Sequence, residues 1–192
     1  DNITKGSHIF GNVFGELAIL KNLKARTSLG IEYNLYNRSE YFHRDIEAAE
    51  PRSANSLNVI NNTDRSLTWF NTLNYDRTIG SHSFNLLLGT EAVTTYAFGF
   101  TASRSSFAFD DLDYRYLDAG SAAGLNNAGA GAIKSALFSQ FGKVNYSYKN
   151  LFLADATIRR DGSSRFSASN RWAIFPAFSV GVRLSELGFM QN

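Results

Sequence analysis

The sequence lacks cysteine altogether and has only three histidines and two prolines among its 192 residues. Without cysteine the chain has no disulfide framework, no thiolate zinc site and no cysteine nucleophile. The histidines (His8, His43 and His82) are too far apart to match metal-ligand spacing. The sequence therefore predicts neither a metal site nor a cofactor.

An excess of one charge sign is also missing. The chain carries 19 Lys and Arg against 17 Asp and Glu, for a formal net charge of +2. No run of basic residues forms a stripe, so the composition argues against a nucleic-acid partner. No apolar run approaches the roughly 18 residues that a membrane helix requires. The first five residues are polar and show no signal-peptide core, so we expect a removed signal or a start inside a longer polypeptide.

What the sequence does contain is apolar and aromatic surface. Hydrophobic residues make up 44% of the chain, which argues against disorder. The 16 Phe, 9 Tyr and 2 Trp residues accompany 15 glycines. Aromatic residues at this density favour β-strands.

A period of two is the clearest pattern. From Leu23 to Leu35 the odd positions are mostly apolar, whereas Lys24, Arg26 and Glu32 occupy even positions. Alternation of this kind places the two sets on opposite faces of a strand. Repeats of the pattern predict seven strands, at residues 9–21, 23–37, 64–78, 83–98, 136–148, 151–160 and 174–185.

The predicted connections alternate between short and long. Three are short enough for hairpins: 20–23, 78–82 and 149–150. The others span residues 38–63, 99–135 and 161–173. Short turns at one end and long loops at the other are typical of outer-membrane β-barrels.

A soluble antiparallel sandwich also alternates its faces, and it remains the alternative. Strands of about 10–15 residues exceed the soluble average of about 5–6. Aromatic residues gather near predicted strand ends, where membrane-interface girdles lie. We therefore predict an all-β fold, an antiparallel meander of about seven long strands within a large transmembrane β-barrel. The odd strand number favours a segment of a larger barrel, because a barrel in lipid must close.

Residues 156–190 resemble one family. Arg159 to Phe166 match an R-x-D-G-S-S-R-F motif, and Trp172 to Ser179 match W-x-x-F-P-x-x-S. Phe189 and Met190 follow. The stretch is similar to the SusC/RagA family of TonB-linked outer-membrane proteins. Residues 23–34 and the 116–120 loop resemble the family more loosely.

The resemblance implies a large, plugged barrel that imports glycans or peptides across the outer membrane of a Gram-negative bacterium. Its partners would be outer-membrane lipid, a SusD-like surface lipoprotein that acts as a lid, the TonB complex and the oligosaccharide or peptide substrate. Neither a plug nor a TonB box is recognisable, so residues 1–192 are expected to be a partial barrel wall. The TonB contact would belong to the N-terminal part of a longer protein.

Two groups of residues are candidate sites. The family motif is expected to form a polar turn after strand six and to shape the rim, with Arg165 pairing with Asp161 or reaching the lumen. Its members are Asp161, Gly162, Ser163, Ser164, Arg165, Phe166, Trp172, Phe175 and Pro176. Asp110, Asp111, Asp113, Tyr114 and Tyr116 mix carboxylates and aromatic rings, which could contact sugar or the lid. A solvated loop is the alternative for that group, and residues 120–131 are expected to be flexible.

Mixed-sign polar residues on the strands are expected to line a hydrated lumen: Arg26, Glu32, Asn74, Glu91, Lys143, Arg159 and Arg183. No nucleophile motif or catalytic cleft is recognisable, so we expect no enzyme. The leading hypothesis is a wall segment of a SusC-like importer. The alternatives are a soluble carbohydrate-binding β-sandwich or small barrel, and a small outer-membrane enzyme or adhesin.

Overall fold

A computed structural model describes residues 1–47 and 49–187. Residues 188–192, including Phe189 and Met190 of the motif, lie outside the described residues. Seven strands follow one another along the chain: β1 (Asn2–Leu20), β2 (Leu23–Phe42), β3 (Ser56–Ile79), β4 (His82–Ser105), β5 (Asn126–Tyr148), β6 (Phe152–Ser163) and β7 (Trp172–Val182).

The seven strands form one sheet in the order of the chain, which confirms the predicted antiparallel meander. In β6 the register is fixed on both sides, with Gly142 opposite Ile158 and Ile158 opposite Pro176. The three predicted hairpin turns are present between β1 and β2, β3 and β4, and β5 and β6. Gly80 in the second turn and Lys149 and Asn150 in the third have positive φ, a conformation common in tight hairpin turns.

The strands extend further toward the long loops than the sequence predicted. β3 begins at Ser56 rather than residue 64, and β4 ends at Ser105 rather than residue 98. β5 begins at Asn126, so the expectation of a flexible segment at 120–131 is wrong for its second half. β7 ends at Val182, which leaves Arg183 outside the strand. In the extensions of β3 and β4 the apolar residues are few (Leu57, Val59 and Ile60; Phe100 and Ala102), so the alternation is too short to mark a strand in the sequence although the ladder continues.

The chain divides into two compact units, and each strand from β1 to β5 contributes to both. The first unit comprises residues 1–10, 32–66 and 95–134, and the second comprises 11–31, 67–94 and 135–192. The first unit holds a small core of Tyr41, Leu57 and Phe107. Val59, Leu117 and Ala119 pack against it.

In the second unit the apolar side chains of one face are exposed. Phe178 is 89% exposed and Val180 is 86% exposed, and Leu88 and Ile158 are also largely exposed. We call this side the apolar face, and the opposite side, with Glu91, Ser139 and Arg159, the polar face. The sandwich hypothesis requires these apolar side chains to pack against a second sheet. The described strands instead form one sheet. Within the described residues, no helix combines the length and apolar character needed to cross a membrane.

Candidate functional site

An arginine organises the polar face of the second unit. Arg159 of β6 donates from Nε to Asp161 Oδ1 at 2.8 Å, and from one terminal nitrogen to Glu91 Oε2 at 2.8 Å and to Ser139 Oγ at 2.9 Å. Ser139 is fully buried beneath this network. The network ties β4, β5 and β6 together through charge-assisted hydrogen bonds, which are the stronger kind.

An aromatic pair lies beside this network. The Phe141 ring covers Gly89, where a Cβ atom would stand 2.2 Å from the ring. Phe141 stacks on Phe70 with 5.7 Å between centroids, and the Arg159 guanidinium lies 5.6 Å from the Phe141 centroid. Gly89 therefore provides the space that holds the ring flat against the polar face. The result is a rigid surface with both a cation and aromatic area.

A row of amides crosses the same face nearer to the short turns. Asn85 donates to Asn74 Oδ1 at 2.9 Å and to Asp76 Oδ1 at 2.6 Å, and it accepts from Asn145 at 2.8 Å. Further along the sheet, Ser179 donates to Asp155 at 3.2 Å. These hydrogen bonds connect neighbouring strands by side chains as well as by backbone.

The other polar residues that the sequence predicts to line the lumen have separate surroundings. They are Arg26, Glu32, Lys143 and Arg183. The Arg26 guanidinium lies 4.1 Å from the centroid of the Phe14 ring, in the second unit. Glu32, in the first unit, lies 3.2 Å from His8 Nε2. Lys143 is on the same side of β5 as Ser139, and Arg183 follows the end of β7.

The first residues of the family motif continue strand β6 and do not form a turn. Asp161 and Gly162 lie within β6, opposite Ala173 and Trp172 of β7, and Ser163 pairs with Leu137 of β5. The carboxylate of Asp161 pairs with Arg159 rather than with Arg165, which is exposed. The expected polar turn is therefore displaced to residues 164–171, where Ser164 both donates to and accepts from the backbone of Ala136.

Gly162 has a different role from the turn flexibility that the sequence suggested. The only glycine with positive φ in the described residues is Gly80. Gly162 is instead buried under the Trp172 ring, and a Cβ atom there would stand 2.7 Å from ring carbons. Trp172 also packs edge-to-face on Phe138, with 6.3 Å between centroids, and lies 4.1 Å from the Arg160 guanidinium. The Trp172 ring thus occupies the space that a side chain at position 162 would fill. Phe175 and Pro176 follow in β7, and Phe166 is exposed in the loop.

The loop between β4 and β5 is anchored in the first unit by Asp110. Its Oδ1 accepts from Tyr41 Oη at 2.7 Å and from Asn55 Nδ2 at 2.7 Å. The Asn55 amide also holds Phe107, accepting from its N–H at 2.7 Å and donating to its carbonyl at 3.1 Å. The Arg115 guanidinium lies 4.4 Å from the centroid of the Tyr41 ring and donates to the Asp110 carbonyl. One carboxylate therefore fixes the loop to β2 and to the start of β3.

The hydrogen bonds of this anchor shift the pKa values of Tyr41 and Asp110. Both residues lie at the long-loop end of the sheet, away from the short turns. Burial, together with the hydrogen bond to Asp110 and its charge, raises the pKa of Tyr41 to about 12. Hydrogen bonds from Asn55 and Tyr41 lower the pKa of the Asp110 carboxyl. Both shifts favour the neutral phenol and the ionised carboxylate as a pair.

The other members of the predicted loop group are not gathered around Asp110. Asp111 precedes a short 3-10 turn, Leu112–Tyr114, which contains Asp113, and both aspartates are exposed. Tyr114 packs on Phe109, with 5.0 Å between centroids, while Tyr116 is 55% exposed. The loop thus presents aromatic rings at its surface and uses one aspartate as an anchor. Sequence reasoning missed Tyr41, Asn55 and Phe107, since the first two lie 69 and 55 residues from Asp110 and no local motif marks them.

Comparison with solved structures defines the class of fold. The whole chain superposes on 21% of a chain in "Structure of the RagAB peptide transporter", with a TM-score of 0.88 and 21% identity. It also matches the ferric preacinetobactin receptor BauA of Acinetobacter baumannii over 94% of this chain and 28% of that one, with a TM-score of 0.57 and 10% identity. The fold is that of the wall of a TonB-dependent outer-membrane barrel.

Sequence relatives define the family. TonB-dependent receptor P39 of Formosa agariphila is 30% identical over 200 residues, which cover all of this chain and 18% of the relative. TonB-dependent receptor P3 of the same organism is 26% identical over 94% of this chain and 18% of its own length. TonB-dependent receptor SusC of Bacteroides thetaiotaomicron is 33% identical over 62% of this chain and 11% of its own length. No family model matches. The chain belongs to the SusC/RagA-like TonB-dependent receptors, and it spans less than a fifth of the length of these curated relatives.

Proposed function

We propose that this chain forms part of the barrel wall of an outer-membrane importer of glycans or peptides in a Gram-negative bacterium. The observation that carries the proposal is the contrast between the two faces in the second unit. One face exposes large apolar side chains such as Phe178 and Val180, and the other holds the hydrogen-bonded network of Arg159. A wall between lipid and a hydrated lumen requires this pairing of faces.

Relatives support the proposal at the level of class. The curated relatives are TonB-dependent receptors, and one solved structure with the same fold is that of the RagAB peptide transporter. We infer a SusD-like surface lipoprotein and the TonB complex as partners of the whole receptor. The receptor would act by transport and not by catalysis, since its relatives are receptors and transporters.

The polar face is where a substrate would pass. Arg159 is held by two carboxylates and a hydroxyl, so its position is fixed before any ligand arrives. The Phe141 ring beside it offers an aromatic face of the kind that stacks on sugar rings or apolar peptide side chains. We propose that the Asp161-to-Pro176 motif shapes the rim. Contact with lid or substrate would fall to the exposed loop rings of Tyr114 and Tyr116, together with Asp111 and Asp113.

The experiment is uptake by cells that express the whole receptor and its lipoprotein partner from their own operon. Deletion of the receptor should abolish growth on one glycan or peptide source, and the protein should fractionate with the outer membrane as a heat-modifiable band. Arg159→Gln should lower uptake and leave the heat-modifiable band in place. Lys143→Gln is the charge-matched control on the neighbouring strand. Recovery of the unaltered receptor as a soluble protein would contradict the proposal.

A further inference from the structure

A groove crosses the apolar face of the second unit. It has a volume of about 600 Å³ and runs between Leu88 of β4 and Ile158 of β6. Gly142 of β5 lies between them, where an added Cβ would stand 3.3 Å from Leu88 Cδ2 and 3.9 Å from Ile158 Cγ2, so the absence of a side chain there keeps the floor of the groove low. Ile174 of β7 extends the apolar lining. A channel of aliphatic side chains with a bare floor has the shape and chemistry of a site for an acyl chain.

Polar groups close one end of this groove. Arg160 and Gln140 face each other across β5 and β6, and the Arg160 guanidinium donates to Gln140 Oε1 at 3.4 Å. Asn71 and Thr90, also in the lining, are linked by a hydrogen bond of 3.4 Å. Arg160 lies on the same side of β6 as Ile158, so its charge is on the apolar face and not on the side of Arg159.

Arg160 has no carboxylate partner among the described residues. The contacts that the described part of the chain gives its guanidinium are the amide of Gln140 and the Trp172 ring. Arg159, one position earlier, engages two carboxylates on the opposite face. A positive charge left without a counter-ion at the mouth of an apolar groove is complementary to an anionic head group.

The position of Arg160 along β6 selects the leaflet. Trp172 and Phe138 lie one step further toward the long loop, where a membrane-interface girdle belongs, and long loops of outer-membrane barrels are extracellular. A basic side chain on the lipid face is tolerated near an interface and costs about 2–4 kcal/mol only at the midplane. In the proposed barrel wall, Arg160 would therefore lie at the depth of the outer-leaflet head groups.

We propose that this groove binds a phosphate-bearing lipid of the outer leaflet, with an acyl chain over Gly142 and a phosphate on Arg160. The inference rests on the proposed function, because it requires the apolar face to meet lipid. The lipid would be a specific part of the assembled receptor and not only its solvent.

Native mass spectrometry of the whole purified receptor in detergent tests the site. The probes are lipid A, the same lipid after removal of its phosphates, and phosphatidylglycerol. The unaltered receptor should retain lipid A more tightly than the other two. Arg160→Gln should weaken lipid A binding by about fivefold, the effect of one basic residue near a membrane surface, and should leave binding of the dephosphorylated lipid unchanged.

Gly142→Leu tests the acyl-chain part independently. It should weaken lipid A and its dephosphorylated form alike, since the new side chain fills the floor. The first contact of the added Cβ is Leu88 Cδ2 at 3.3 Å, the movable end of a side chain. Lys143→Gln and Val144→Leu are the charge and volume controls on β5, and both should bind as the unaltered receptor does.

Equal affinity of the unaltered receptor for lipid A and its dephosphorylated form overturns the proposal. So does unchanged lipid A binding by Arg160→Gln or Gly142→Leu, or a change of oligomeric state in place of lipid loss, which would assign the groove to contact between copies. These measurements do not depend on a variant that fails to fold, since the comparison of lipids uses the unaltered receptor. Absence of the unaltered receptor from the outer membrane would instead contradict the proposed function.

Discussion

All of the buried hydrophobic residues among those that the structure describes lie in the first unit. In the first unit Leu57 is 2% exposed and Tyr41 is 3% exposed, packed under a loop. In the second unit Phe178 and Val180 are 89% and 86% exposed on one face of the sheet. Under the proposed function, the apolar face of the second unit would contact lipid, whereas the small core of the first unit is buried beneath its own loop.

A charge on the apolar face provides the strongest test of this comparison. Phe178→Arg should destabilise the whole receptor by about 2–4 kcal/mol, because Phe178 lies near the middle of β7 and the guanidinium would enter hydrocarbon. Urea unfolding of the receptor in phospholipid vesicles, followed by loss of heat modifiability, measures the effect. Ser179→Arg is the matched control, since Ser179 is on the other face and donates to Asp155. Equal effects at the two positions would show that the faces do not differ in solvent.

The core of the first unit provides the next largest effect. Leu57→Ala should reduce the stability of the loop 106–125 by about 2 kcal/mol or more, through lost burial and the cavity left behind. Hydrogen exchange of the loop amides in the whole receptor measures this change. Leu112→Ala is the control, because Leu112 is in the same loop and is 68% exposed. Equal acceleration of exchange by the two substitutions would show that Leu57 is not part of a buried core that holds the loop.

Gly162, which leaves room for the Trp172 ring on the apolar face, provides the third test. Gly162→Ala should cost about 1–3 kcal/mol, because the new methyl group would overlap the ring and force it from the strand. Gly181→Ala should cost less, since its added Cβ meets only Leu153 Cβ at 4.0 Å. The same urea titration measures both variants. A stability of Gly162→Ala equal to that of Gly181→Ala would mean that Trp172 does not need this space.

The smallest expected effect is the pH dependence of the loop anchor. Below about pH 10 the Tyr41 phenol is protonated whether the loop is attached or free. Above about pH 10, Tyr41 of β2 loses its proton more readily when the loop is detached, because the pKa of Tyr41 in the attached state is about 12. Attachment should therefore weaken as pH rises past about 10. Asp110 has a lowered pKa, so its contribution is present above the ordinary value of about 4 and is lost as pH falls below it.

Limited proteolysis of the loop across this range is the measurement. Tyr41→Phe should cost about 1 kcal/mol at neutral pH, the value of one hydrogen bond, and should remove the alkaline limb while keeping the acid limb. Tyr114→Phe is the control, since Tyr114 is not in the anchor. An alkaline limb that persists in Tyr41→Phe would assign the titration to another group.

The number of strands, the hairpin turns and the polarity of each strand face follow from the sequence, because the two faces of the sheet differ in polarity and this imposes a period of two. The same reasoning explains the errors in length. In residues 56–63 and 99–105 few positions are apolar, so the alternation is too short to extend the predicted strands although the ladder continues. The loop anchor cannot be predicted for another reason: Tyr41 and Asn55 meet Asp110 only through the fold, over separations of 69 and 55 residues. Gly162 resembles a turn residue in the sequence because close approach of a ring leaves no local signature there.

The consecutive order of the strands has a consequence for biogenesis. Each of β2 to β6 is bonded to the strand before it and the strand after it in the chain. Each strand can therefore pair with the strand that precedes it in the chain, and this sheet requires no pairing between segments that are distant in sequence. This sheet can therefore assemble by stepwise addition of strands at one edge, where the last strand added offers free backbone groups to the next.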